Sequence, residues 1–300
     1  MPDRLDGRAY VLPDNLKLAV EVAYATERPL LLRGHPGSGK SSLAAHVAWL
    51  KSARYYELTV TSRTQAQDLL WSFDTVRRLA DAQLRERRDD HAYVEPGVLW
   101  WALDRDSAFR RGADTDLPSA VEPNAELNAD RSPAHAVVLI DEIDKADPDL
   151  PNGLLAPFGS NHFTVTETGV VVQVGDSPST PGESRHLIVV TTNEERELPQ
   201  AFLRRCVVVW LEHPNVDGLV DIARKHLNTY ENGMTADEET LARALATAVV
   251  QAREDKQNRP PSTAEFLDAL TACRKLGIST TSPAWRELHD MALIKQPRPS

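Results

Sequence analysis

Two cysteines, Cys206 and Cys273, are all that the 300 residues contain. That is too few for a disulfide framework or a zinc site. Both lie in apolar contexts and read as buried thiols. No apolar run is long enough to cross a bilayer, and Met1-Pro2-Asp3-Arg4-Leu5-Asp6 carries no signal-peptide core. The chain is therefore expected to be cytoplasmic, with no membrane partner. Basic residues are in deficit: 34 Lys and Arg stand against 44 Asp and Glu, a formal charge of −10. A broad basic footprint for nucleic acid is missing, which disfavours that partner but leaves room for a local patch. There is no internal repeat and no protease, nuclease or zinc motif. With 41% hydrophobic and 26% charged residues, the composition is that of a soluble globular chain, long enough for one large domain or two smaller ones.

Five short apolar runs read as strands: Leu30-Leu31-Leu32, Tyr55 to Val60, Ala136 to Ile140, Leu187 to Thr191 and Cys206 to Leu211. Helical spacing lies before and between them, at Asn15 to Thr26, Leu43 to Leu50 and Val98 to Leu103. A long helix is expected over Gln65 to Gln83, with Leu69, Leu70, Phe73, Val76, Leu79 and Ala80 on one side. Arg85 to Asp90 mixes both signs of charge and reads as a solvated helix end or loop. Residues 112–134, with three prolines and several acids, are expected to be an irregular surface insertion without fixed structure. A hairpin is expected over about 162–174, turning at Thr168-Gly169. Residues 175–186 read as a loop. Buried strands alternating with helices indicate an α/β domain with a largely parallel sheet. From Val216 onward the periodicity is helical, placing a boundary after residue 213: an α/β domain over 1–213 and a helical domain over 214–300.

The most informative string is Gly34-His35-Pro36-Gly37-Ser38-Gly39-Lys40-Ser41, which fits G-x-x-x-x-G-K-[ST] between a strand and a helix. Backbone N–H groups of such a loop, with the helix N-terminus behind it, form an anion site. Lys40 is expected to reach nucleotide phosphates and the Ser41 hydroxyl to hold Mg²⁺. Gly34, Pro36, Gly37, Ser38, Gly39 and Ser42 complete the cradle. Val137 to Glu142 is an apolar strand ending in two carboxylates. Asp141 suits Mg²⁺ as a hard oxygen donor, and Glu142, one residue on, suits a general base acting on water. Asn193 ends the strand before the Leu198 to Arg205 segment and could orient that water. Arg204-Arg205 is a basic pair, commonly a solvated turn. No Asn-Lys-x-Asp guanine signature occurs.

With these motifs in this order, the chain resembles the AAA+ ATPases over roughly residues 8–270, and within them the MoxR-like group. The finer likeness rests on Leu198-Pro199-Gln200-Ala201-Phe202-Leu203-Arg204-Arg205, the insertion after the second strand and the hairpin before Asn193. The resemblance implies a P-loop NTPase sheet in the order 5-1-4-3-2 flanked by helices, a C-terminal all-helical lid and a homo-oligomeric ring, usually a hexamer. It implies ATP/ADP and Mg²⁺ as ligands, Glu142 as catalytic glutamate and Asn193 as the polar sensor of the γ-phosphate. Arg205, ranked above Arg204, is implied as the finger acting on the neighbouring subunit's ATP. It also implies a protein partner, such as a von Willebrand factor A domain protein or an effector encoded nearby.

Several positions remain open. Tyr10 and Val11 either cup the base or pack as an apolar strap. Arg259 stands near the place where many lids carry an arginine for the phosphate, but it is also a loop residue before Pro260-Pro261. His46 reads as a packed histidine, and Trp71, Phe73, Trp100 and Trp101 as core or subunit-contact residues, with a pore-facing role conceivable. The leading expectation is an ATP-driven ring that remodels a protein partner. The alternatives are a nucleotide-gated scaffold with slow turnover and, below it, a nucleic-acid motor.

Overall fold

A computed structural model describes residues 3–86, 88–114, 117–174, 186–254 and 260–289. Its strands, in chain order, are β1 (Leu30–Arg33), β2 (Ala53–Thr59), β3 (Trp71–Phe73), β4 (Val94–Pro96), β5 (Ser132–Asp141), β6 (His162–Thr164), β7 (Val171–Gln173), β8 (His186–Thr192) and β9 (Val207–Trp210). Five form one sheet in the order β2-β5-β8-β1-β9, with every neighbouring pair parallel. Counting only these five along the chain gives 5-1-4-3-2, the expected order.

The apolar character of these strands follows from burial on both faces. Side chains alternate across a strand. Val138 and Ile140 of β5 join Leu31, Tyr56 and Val190 in one core, while Val137 and Leu139 join Leu30, Leu32, Tyr55 and Val189 in another. The second core is closed by the helices Asp14–Thr26 and Lys40–Leu50, whose Ala44, Ala45 and Ala48 are fully buried. The first is closed by the helix Val98–Leu103. There Trp100 and Trp101 are inaccessible to solvent and belong to the core.

The expected helix over Gln65 to Gln83 is corrected. A 3-10 turn at Ala66–Leu69 leads into β3, which pairs antiparallel with β4, and a helix begins only at Thr75. Asp74 restarts the chain as a helix by accepting the Arg77 N–H at 2.8 Å. Leu69 and Leu70 are buried while Val76 and Leu79 face solvent. The apolar positions belong to different elements that only resemble one helical face.

The expectation of an unstructured insertion over 112–134 is also corrected, residues 115–116 lying outside the described residues. Glu122, only 5% exposed, accepts from the Tyr56 hydroxyl at 2.7 Å and pairs with Arg105 at 2.6 Å. Asn128 accepts the Tyr55 N–H at 2.8 Å. β5 starts at Ser132, four residues before its apolar run. Buried polar side chains fix this segment to the edge strand, and Ala120 and Leu127 add apolar contacts to the cores.

The hairpin runs through β6 and β7, antiparallel, with Phe163 opposite Val172. Of the 175–186 loop, all but His186 lies outside the described residues. A third core is built wholly from residues 219–273 on the helices Val216–Tyr230, Ala236–Glu254 and Thr263–Leu276.

Candidate nucleotide site

β1 ends at Arg33 and the chain turns through Gly34, Gly37 and Gly39, all at positive φ, before the helix Lys40–Leu50 begins. The turn demands glycine most clearly at Gly37. Its φ is 79°, and a Cβ there would lie 2.3 Å from the Ser262 Cβ. Ser262, just before the helix Thr263–Leu276, therefore presses directly on the phosphate loop, and the Thr263 N–H donates to the Gly37 carbonyl at 3.2 Å.

Lys40 is buried, and all three ammonium protons have acceptors: the carbonyls of Gly34 at 2.8 Å and His35 at 2.9 Å, and the Asn193 Oδ1 at 2.9 Å. Burial pulls the Lys40 ammonium below its ordinary value, against the raising effect of Asp141, Asp144 and Glu142. His35 stacks on His213 with ring centroids 5.6 Å apart. Burial drives His213 down to about 4, leaving this imidazole neutral near pH 7.

Both carboxylates stand at the tip of β5, beside the end of the parallel strand β8. Asp141 closes β5, and its Oδ1 accepts from the Ser41 hydroxyl at 2.6 Å and the Thr191 hydroxyl at 2.7 Å. Thr191 in turn accepts the Glu142 N–H at 2.9 Å. One buried hydroxyl on β8 thus fixes both residues of the acidic pair. Glu142 adopts a left-handed conformation (φ 63°). Its Oε1 accepts from the Asn193 Nδ2 at 3.2 Å and its Oε2 pairs with Lys145 at 2.6 Å. Asp144, buried beneath, accepts the N–H groups of Asn193 at 3.2 Å and Glu195 at 2.9 Å. Lys40, Asn193 and Glu142 therefore form one hydrogen-bonded chain.

Sequence reasoning gave no role to Thr191, Asp144 or Lys145. A signal was present for two of them, since Asp144 and Lys145 follow the acidic pair with only Ile143 between. Thr191 is a common strand-end residue whose importance lies in a contact fifty positions away.

A cavity of about 620 Å³ opens over the loop. Residues 36–42, Asp141, Glu142, Thr191 and Asn193 line its polar end. Its other walls include Tyr10, Val11, Leu211, Ile222 and Leu267. Tyr10 and Val11 thus face the cavity, and burial raises the Tyr10 hydroxyl above its ordinary range. His46 is a packed histidine, its Nδ1 2.6 Å from the Gly7 carbonyl. Burial lowers its pKa.

The pair Ser41 and Asp141 suits a hard divalent cation, being a hydroxyl and a carboxylate oxygen already in contact. No group of three or more His, Cys, Asp or Glu side chains suited to a metal occurs among the described residues. Arg204 and Arg205 lie apart from this cavity. Both are exposed, and the Arg205 Nη1 donates to the Ala201 carbonyl at 3.2 Å. Arg259 lies outside the described residues.

Comparison with known proteins places these features in a family. Residues 29–206 match the AAA domain of the dynein-related subfamily. No curated protein matches the chain. Among solved structures, the chain is similar to the Holliday junction branch migration motor RuvB of Thermotoga maritima (14% identity, TM-score 0.46, covering 92% of this chain and 66% of that one). It is also similar to a Cytophaga hutchinsonii protein assigned as an ATPase (13% identity, TM-score 0.47, covering 96% and 83%). The chain thus spans slightly less than two thirds of the RuvB chain. The matched region holds the phosphate loop, both carboxylates, Asn193 and the Arg204-Arg205 pair, and the chain belongs to the AAA family of ATPases, in its dynein-related subfamily.

Proposed function

We propose that this protein binds ATP in the cavity above Gly34 to Ser42 and hydrolyses it to ADP and phosphate, with turnover driving the remodelling of a protein partner. The observation that supports this best is the hydrogen-bonded chain from Lys40 through Asn193 to Glu142, set beside the Ser41–Asp141 pair. It puts a phosphate-binding cation and a candidate general base at the carboxyl ends of β1, β5 and β8, where α/β sheets bind ligands.

In this reading the triphosphate lies on the loop amides and Lys40. The base lies among Tyr10, Val11, Leu211, Ile222 and Leu267. Magnesium, when bound, would be held by Ser41 and Asp141 and would neutralise charge on the phosphate oxygens. Glu142 takes a proton from the attacking water, and Asn193 orients that water. Thr191 holds the two carboxylates in register. Arg205, with Arg204 beside it, reaches the γ-phosphate of a neighbouring protomer in a ring, a hexamer by family analogy. Exposure of both arginines away from their own cavity supports that assignment.

Residues 1–213 act as the nucleotide-binding domain and 214–300 as the lid, with Arg259 as a further candidate for the phosphate. The MoxR-like motifs favour a cytoplasmic chaperone-like role, with a von Willebrand factor A domain protein or a bacterial defence effector as partner. A second reading, a nucleotide-gated scaffold with slow turnover, draws on one observation: both carboxylate oxygens of Glu142 are engaged.

Lys40→Ala tests the site itself. Three charge-assisted contacts converge on this ammonium, so ATP affinity should fall by about a hundredfold or more. A dissociation constant equal to wild type would refute the site.

A further inference from the structure

The loop after β5 holds a contact that the hydrolysis reading does not use. Ile143–Lys145 is a 3-10 turn that starts at Glu142, and the Lys145 N–H donates to the Glu142 carbonyl at 3.0 Å. The turn brings the Lys145 ammonium back onto the Glu142 Oε2 at 2.6 Å. Lys145 is 42% exposed and Glu142 29%. An ion pair this open to water is weak and readily exchanged. The other oxygen of Glu142 is held by Asn193, which is itself held by Lys40.

An ammonium has three protons, and those of Lys40 are all taken. A phosphate oxygen arriving at Lys40 must displace one acceptor. Of the three, Asn193 is the only side chain, and so the only one that can yield by rotating about its own bonds. Once the Asn193 amide is freed, Lys145 is the remaining partner holding the Glu142 carboxylate. Glu195 and Asp144 lie within electrostatic reach of Lys145. Asp144 holds two backbone N–H groups on its Oδ2 while its buried Oδ1 has no partner, and Glu195 is exposed, so acidic groups other than Glu142 lie about the ammonium.

We propose that Lys145 is a restraining residue for the general base: it holds the Glu142 carboxylate in the nucleotide-free state, and turnover requires that this ion pair open. This rests on the reading of Glu142 as the base that activates water. Lys145 is a positioning residue that acts through Glu142. The restraint keeps the base tied until phosphate has arrived and Asn193 has moved.

The test is single-turnover hydrolysis of ATP with protein in excess, alongside nucleotide affinity, for the full chain and its variants. Lys145→Met should raise the single-turnover rate by about threefold or more with ATP affinity unchanged, whereas Lys145→Arg should stay near wild type. A merely structural lysine would not give a faster enzyme. A rate for Lys145→Met at or below wild type overturns the proposal. Should that variant fail to fold, Lys145→Gln decides: a faster single turnover at unchanged affinity supports the restraint, and an unchanged or slower one overturns it. Glu142→Gln serves as the separating control. If it hydrolyses ATP as fast as wild type, the reading of Glu142 as the base fails, independently of Lys145.

Discussion

The Lys40 ammonium lies 2.9 Å from the Asn193 amide oxygen, although 153 residues separate them. The contact joins the tip of β8 to the start of the helix after β1. It is possible because these strands are direct neighbours in the sheet, with Arg33 opposite Thr192. A parallel sheet brings every strand's carboxyl end to one edge, so residues remote in sequence meet there without a long loop to carry them.

Thr191 is expected to matter beyond its size. Its hydroxyl both donates to Asp141 and accepts from the Glu142 N–H, and the residue is fully buried. Thr191→Val keeps the shape and leaves that N–H unpaired. Unfolding free energy should drop by about 1–3 kcal/mol, with a fall in the hydrolysis rate, while Thr191→Ser stays close to wild type. Urea denaturation and phosphate release measure the two effects. Equal behaviour of the Val and Ser variants would show that the hydroxyl has no such role.

Gly37 is expected to control the approach of the helical residues to the phosphate loop. Gly37→Ala places a methyl group 2.3 Å from the Ser262 Cβ at a φ of 79°, which L residues adopt only with strain. Nucleotide affinity should fall by about tenfold while the sheet stays folded. Ser262→Gly in the same chain removes the Cβ part of the clash, leaving the methyl 2.8 Å from the Cα at position 262, at small cost since glycine is a tolerated N-cap, and should recover part of the affinity. Fluorescent-nucleotide titration of the three variants reads this. Wild-type affinity in Gly37→Ala would mean that the Ser262 contact is absent when nucleotide is bound.

Arg205 should affect hydrolysis but not binding. Arg205→Ala is expected to lower turnover by about a thousandfold, as loss of an arginine finger does in other NTPases, with the ATP dissociation constant unchanged. Mixed with Lys40→Ala, it should regain partial activity: one protomer then supplies the intact phosphate site and the other the guanidinium. A mixture no more active than its components would place Arg205 outside the neighbour's site.

The sheet was legible because its strands are buried on both faces and therefore read as uninterrupted apolar runs. Leu30 to Leu32 and Val137 to Ile140 need no partner information to be recognised. Gln65 to Gln83 misled for the opposite reason. Leu69, Leu70, Phe73, Val76 and Leu79 fit one helical face by spacing, yet pairing of β3 with β4 divides them. Residues 112–134 were read as unstructured because Glu122 and Asn128 hold the segment through hydrogen bonds, and hydrogen-bonding polar residues leave no periodic trace. In the site, Lys40, Ser41, Asp141 and Glu142 stood out from their local strings. Thr191, Asp144 and Lys145 did not, since their roles consist of contacts made in the folded chain.

Phosphate release by Glu142→Gln, measured beside its ATP affinity, tests the central claim most directly. The substitution keeps the side chain's size and removes its ability to take a proton. The expected result is ATP binding equal to wild type with turnover reduced by about a hundredfold or more. Turnover equal to wild type at equal affinity would contradict the assignment of Glu142 as the base.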